Sequence, residues 1–158
     1  ELLEGKATLW ILGPYESETL KAECEAMEGY KYCKYFGSMP LKEVYNYTKA
    51  ADIGLCTLHP TENYKESIPI KVLEYMASEK PLILSDFPYW KNLFGEIGEY
   101  VDPLNPEDIK KAVEVFINNK ELIKEVGKKN KEVFLEKFSW DAEGKKLVEL
   151  YKEILKNN

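Results

Sequence analysis

Four short apolar runs, each set off from the next by a helix-length charged stretch, limit what this chain can become. Ala7–Leu12 ends in Gly13-Pro14, Tyr32–Phe36 is aromatic and closed by Gly37, Asp52–Leu58 is nearly all apolar, and Pro81–Ser85 opens on a proline. Short apolar runs bounded by turn signals read as buried strands, and a nearly continuous one as a parallel strand covered on both faces. Gly98–Val101 reads as a short edge strand. The spacers carry helical signals: Glu18–Ala26 with Leu20, Cys24 and Met27 turned inward, a helix started by Pro40 and ending near Ala51, one from Pro69 to about Ser78, and a short one over Tyr89–Phe94. After the turn signals Asp102-Pro103 and Asn105-Pro106 come three helices without intervening strands, about Glu107–Asn118, Glu121–Phe134 and Asp141–Leu155. Strands alternating with helices predict an α/β fold with a parallel sheet and right-handed crossovers. The last three helices must pack outside that sheet.

The 158 residues suffice for one domain with a core of its own. A formal net charge of −6 speaks against nucleic acid as a partner. Three cysteines without Cys-x-x-Cys spacing and a single histidine, His59, imply neither a disulfide frame nor a zinc site. Cys56 lies in an apolar run, where a free thiol packs as a small hydrophobe. A reducing, cytoplasmic compartment is the simplest setting, and no run approaches the ~18 apolar residues of a membrane span. The opening Glu1-Leu2-Leu3-Glu4-Gly5 reads as the tail of a helix cut from a longer protein.

The most informative stretch is Glu66–Asp86. A polar loop leaves the third strand and meets Pro69, whose fixed φ suits a first helical turn. Wheeling the helix at ~100° per residue puts Ile70, Leu73, Glu74 and Ala77 on one stripe, with a carboxylate where an apolar residue is expected. A carboxylate on a buried stripe requires polar satisfaction. Glu66 precedes the helix, near the mouth where phosphates bind in open α/β folds. The spacing alone carries nothing: the chain has 23 Glu, and Glu99 and Glu107 are spaced identically. The setting carries the signal: strand, polar loop, Pro-started helix, Pro-started strand.

In that setting the stretch resembles the donor-site motif of the retaining, two-lobed nucleotide-sugar glycosyltransferases of family 4, the group 1 glycosyltransferases. Their pattern is Glu, seven residues, Glu, then a small residue pair and a Lys-Pro strand, matched here by Glu66, Glu74, Ala77-Ser78 and Lys80-Pro81. The likeness covers nearly the whole chain. The strand ending Gly13-Pro14 resembles the second strand of the family's C-terminal lobe. Phe36-Gly37 with the helix Leu41, Tyr47, Ala51, Asp52 resembles the next unit, and Phe138-Ser139-Trp140 its C-terminal end. The resemblance implies a Rossmann-like parallel sheet with flanking helices and a helical C-terminal extension. Residues 1–158 would form a single nucleotide-sugar-binding lobe. The N-terminal acceptor lobe would be absent, as would this lobe's first strand and helix, which carry the Arg and Lys that hold the donor diphosphate.

The same resemblance implies roles. Glu74 would accept from both ribose hydroxyls; Glu66 would touch the transferred sugar and is the candidate catalytic group. Ser67, Ile68, Pro69, Ile70 and Lys71 would complete the donor-binding segment, with Lys71 near phosphate. Gly13, Tyr35 and Phe36 would lie where a base stacks or is edged. The donor is a nucleoside-diphosphate sugar, with no further cofactor and no metal, in keeping with the lack of any Asp-x-Asp. Two departures stand out: Pro69 and Glu79 replace frequent glycines. Either Glu79 takes φ > 0 with strain of about 1 kcal/mol, or a different turn closes the helix.

Each assignment has a plainer reading: a structural ion pair for Glu74, a solvated lysine for Lys71, an idle loop histidine for His59, and core packing for Tyr35 and Phe36. A non-catalytic nucleotide-binding or interaction module on the same fold is the alternative function. A dehydrogenase fits poorly, since Gly13-Pro14 lacks the Gly-x-Gly-x-x-Gly spacing. The last helix carries Leu147, Leu150, Tyr151 and Ile154 at helical spacing beside Val148 and Leu155. In the family this helix crosses back to the N-terminal lobe. Without that lobe the stripe predicts weak homodimers, and the whole protein is expected to associate peripherally with membrane.

Overall fold

The computed structural model describes residues 2–156. Its elements run β1 (Leu9–Leu12), α1 (Glu18–Glu25), a 3-10 turn (Glu28–Tyr32), β2 (Cys33–Gly37), α2 (Leu41–Ala50), β3 (Gly54–Cys56), α3 (Glu62–Lys65), α4 (Ile70–Ala77), β4 (Leu82–Ser85), α5 (Pro88–Phe94), β5 (Gly98–Val101), α6 (Pro106–Ile117), α7 (Lys120–Lys137) and α8 (Trp140–Lys156). All strand pairing is parallel, as the alternation of strands and helices requires. The strands form two ladders, β1–β2 and β3–β4–β5.

β4 is the centre of the molecule, and all four of its residues are buried. Successive side chains of a strand point to opposite faces. Leu82 and Leu84 accordingly join Val72, Met76, Trp90 and Phe94 of α4 and α5 on one side. Ile83 joins Val101, Ala112 and Phe116 on the other. The run Pro81–Ser85 is thus apolar throughout because both of its faces are covered.

Three expectations need correction. Ala7–Leu12 does form a strand, but none of β1 is fully buried and Leu9 is 44% exposed, because β1 pairs only with β2. In α1, Leu20 is exposed and Met27, beyond the helix, more so; only Cys24 of the inward trio is half-buried. In α4 the face toward the sheet is Val72 and Met76, not the stripe through Ile70, Leu73, Glu74 and Ala77; Ile70 is 72% exposed. Two β4 leucines lie across from Val72 and Met76, and that contact sets the rotation of the helix. The sequence also gave no sign of α3.

α8 presents the expected apolar stripe. Leu147, Val148, Leu150, Tyr151, Ile154 and Leu155 are all exposed, and Trp140 at its start is 78% exposed. Among the described residues no helix is long and apolar enough to cross a membrane.

Candidate functional site

The segment from Glu66 to Pro69 joins α3 to α4 beyond the carboxyl end of β3, and Ile70 and Lys71 open α4. Two side chains from the neighbouring strand unit fasten this edge. Trp90, fully buried on α5, donates its indole N–H to the Ser67 carbonyl at 2.8 Å. Ser85, the last residue of β4, donates its hydroxyl to the Leu58 carbonyl at 2.6 Å. Ser67 donates its hydroxyl to the Tyr64 carbonyl at 3.2 Å. Pro69 is buried, while Glu66, Ile68, Ile70 and Lys71 are exposed. Pro69 sits just before the first helical residue with φ −74° and ψ 118°, and α4 has no side-chain cap at that end. Glu66 thus stands on an anchored loop with its carboxylate in solvent.

Glu74 is half-buried, away from the sheet face of α4. It lines a groove of about 320 Å³ walled by Tyr45 and Lys49 of α2, Leu73, Ala77 and Ser78 beside it, and Phe134 of α7. A larger hollow of about 540 Å³ is lined by α8 residues only, between Trp140 and Lys152. It is the outer face of one helix, whereas three helices converge on Glu74. On the inner side of α4, Tyr75 fills the space a side chain at Gly54 would need, bringing the helix against β3. Burial pushes the Tyr75 hydroxyl up to about 12 and the Cys56 thiol to about 11.

The far end of α4 is closed by a Schellman turn. The Lys80 N–H donates to the Tyr75 carbonyl at 3.0 Å and the Glu79 N–H to Met76 at 3.1 Å. Glu79 occupies the left-handed position with φ 59°, so the first of the two alternatives for that residue is realised. α7 seats on this turn. Gly127 lies so close that any Cβ there would overlap the Glu79 carbonyl oxygen. Asn130, fully buried, donates both amide hydrogens, to Lys80 O at 2.8 Å and Ile97 O at 2.7 Å. Lys131 donates to the Glu79 carboxylate at 2.6 Å, and that hydrogen bond holds the Glu79 carboxyl below its ordinary range. The Lys80 ammonium, whose pKa burial lowers, reaches back to the Lys49 carbonyl at 2.7 Å.

Gly13, Tyr35 and Phe36 lie on the other ladder, at the carboxyl ends of β1 and β2. The Gly13 N–H donates to the Gly37 carbonyl at 2.9 Å. Phe36 is half-buried and packs between Trp10, with ring centroids 5.7 Å apart, and Tyr47, at 4.6 Å. Tyr35, on the opposite face, is at the surface with its ring 4.9 Å from that of Tyr15. Of the aromatic pair, Tyr35 is the more exposed, with the Lys21 ammonium 5.9 Å from its ring centroid. His59 is exposed in the loop after β3. Among the described residues no three His, Cys, Asp or Glu side chains are grouped to hold a metal ion.

The family model described as glycosyl transferases group 1 matches residues 1–133. The chain belongs to the group 1 glycosyl transferases. No curated protein matches it, but 13 chains of solved structures do. One is the crystal structure of TarM, with a TM-score of 0.71 at 18% sequence identity, covering 95% of this chain and 31% of that one. Identity that low speaks for the fold alone. The chain spans about a third of the length of the TarM chain it resembles.

Within this group 1 domain, sequence reasoning missed the residues that build walls rather than ligands. Tyr45, Lys49 and Phe134 reach the Glu74 groove from elements remote in the chain, and Trp90 anchors the loop from 23 positions away. Only Gly127 carried a signal, as a glycine inside a long helical pattern.

Proposed function

We propose that this domain is the donor-binding lobe of a transferase that moves a sugar from a nucleoside-diphosphate sugar to a saccharide or lipid-linked acceptor, with retention at the anomeric carbon. One observation carries the reading. In a chain of the group 1 family, Glu66 stands in the loop beyond β3 and Glu74 in the groove where three helices converge. In open α/β sheets ligands bind at the carboxyl edge, where Glu66 stands.

In this reading the Glu74 carboxylate accepts from both ribose hydroxyls, in charge-assisted bonds of about 1.5–3 kcal/mol each. Glu66 contacts the hydroxyls of the transferred sugar and is the candidate catalytic carboxylate. Ser67 to Lys71 line the diphosphate and sugar, and Gly13, Tyr35 and Phe36 flank the base. The bond from the anomeric carbon to the diphosphate oxygen breaks as one to an acceptor oxygen forms, and the acceptor's hydroxyl proton passes to the departing diphosphate. Backbone N–H groups and basic residues stabilise the departing diphosphate. The acceptor site and the face that covers α8 belong to a partner N-terminal lobe, and the diphosphate-binding Arg and Lys to a first strand and helix of the donor lobe itself, all outside residues 1–158. This chain by itself therefore does not transfer sugar. The resemblance extends the reading to a cytoplasmic enzyme that works at the membrane surface on lipid-linked acceptors.

A thermal-shift panel of UDP-, GDP- and ADP-sugars finds the base. Glu74→Gln then weakens that nucleotide by about 1.5–3 kcal/mol, or roughly 10- to 150-fold, by calorimetry. Unchanged affinity with the fold intact would make Glu74 structural.

A further inference from the structure

α4 has only two turns and starts without a side-chain cap; the Trp90 bond to the Ser67 carbonyl holds the loop before it, and its far end is the second point that fixes its place along its own axis. There the Ser78 N–H donates to the Glu74 carbonyl at 3.1 Å, linking the proposed ribose ligand directly to the closing turn. That turn is held from outside by α7. Gly127 admits the Glu79 carbonyl where any side chain would exclude it. Asn130 spends both amide hydrogens on carbonyls that precede two neighbouring strands, Lys80 before β4 and Ile97 before β5. Seven residues beyond Gly127, Phe134 of the same helix walls the groove that holds Glu74. Asn130 keeps its own side-chain oxygen buried without a partner among the described residues.

We propose that Gly127 and Asn130 are positioning residues, which fix the height and rotation of α4 and so aim Glu74 at the ribose diol of the donor. The inference rests on the reading of Glu74 given above. A helix transmits displacement along its length, and a two-point contact to a diol fails with small misplacement, as positioned groups do. Asn130 is suited to the task because its two hydrogens fork from one rigid amide, which neither Asp nor Leu reproduces.

The test reads a ratio that loss of stability alone does not move. Binding of UDP, GDP and ADP to the chain is compared with binding of their 2′-deoxy counterparts. The unmutated chain is expected to prefer the ribonucleotide by about tenfold or more, the worth of one charge-assisted hydrogen bond. Asn130→Ala is expected to reduce that preference to about threefold or less, with the chain still folded by circular dichroism at the assay temperature. Phe116→Leu, which weakens the core on the other face of β4, is expected to lower stability and leave the ratio alone. If Asn130→Ala does not fold, Lys131→Ala, which loosens the same turn from the surface, is read in its place and must lower the ratio. A ratio preserved in the α7 variant, or lost equally in Phe116→Leu, overturns the inference. A ratio insensitive to Glu74→Gln, or no nucleotide binding by the unmutated chain, overturns the reading of Glu74 beneath it.

Discussion

The same substitution at two glycines should move stability in opposite directions. Gly127 and Gly144 both lie inside long helices, α7 and α8. Helix propensity alone favours alanine over glycine by up to about 1 kcal/mol at each. At Gly144 a Cβ would meet nothing within 4 Å, so Gly144→Ala should keep that gain. At Gly127 the new methyl would overlap the Glu79 carbonyl oxygen and crowd its carbon at 2.8 Å, against backbone that has no rotamer to change. α7 cannot back away without stretching the Asn130 bonds of 2.7 and 2.8 Å. Overpacking costs about 1–3 kcal/mol; taking the upper end because the neighbour is backbone, and subtracting the propensity gain, leaves a net loss of about 2 kcal/mol. For a chain of this length 1 kcal/mol shifts Tm by about 2–4 °C. Gly127→Ala should therefore melt about 4–8 °C lower and Gly144→Ala about 2–4 °C higher, by calorimetry at one protein concentration. A Gly127→Ala protein that melts at or above the parent would refute the seating of α7 on the α4 turn.

Acid should loosen that same turn. The Glu79 carboxyl is depressed, so its contribution is present above the ordinary carboxylate value of about 4.3 and is lost as pH falls below it through the lowered folded value. Lys131→Ala removes the cause and should flatten the acid limb of an unfolding titration; an unchanged limb would put the acid sensitivity elsewhere. The exposed stripe of α8 should drive weak self-association. Burying two of its side chains is worth on the order of 3–6 kcal/mol before association costs. Sedimentation should show concentration-dependent dimers that Leu150→Glu abolishes, and a monomer at all concentrations would count against the stripe as an interface.

The sequence spoke most clearly where one local rule governed. Pro81–Ser85 became β4 because an uninterrupted apolar run has no exposed face to offer. Gly98–Val101 became β5 with the expected bounds, and Asn105 capped α6 with its side chain beside Pro106. It was least clear where the answer depended on a partner distant in the chain. The rotation of α4 could not be read from its own periodicity, since Val72 and Met76 form as good a stripe as Leu73 and Ala77. Contact with Leu82 and Leu84 made the choice. Nothing in their own stretches of sequence marks Tyr45 and Phe134, and only the meeting of α2, α4 and α7 makes them walls of the Glu74 groove. For Glu79 the sequence posed the right question, and the second helix that answers it lies about fifty residues downstream.

The uneven burial of the two ladders has a consequence for how heat and ligands act on the molecule. No residue from 2 to 50 is fully buried, whereas every residue of β4 is. Local opening free energies follow that density, so amides of β1, β2 and α1 should exchange hydrogen well before those of β4. The melting of the chain should then be broader than a single cooperative unit would give. The proposed site straddles this divide, with Gly13 and Tyr35 on the loosely packed ladder and Glu66 and Glu74 on the dense one. A nucleotide gripping both would pay to quiet the first half. In return it would make the two halves melt as one, so that ligand sharpens the transition as well as raising it.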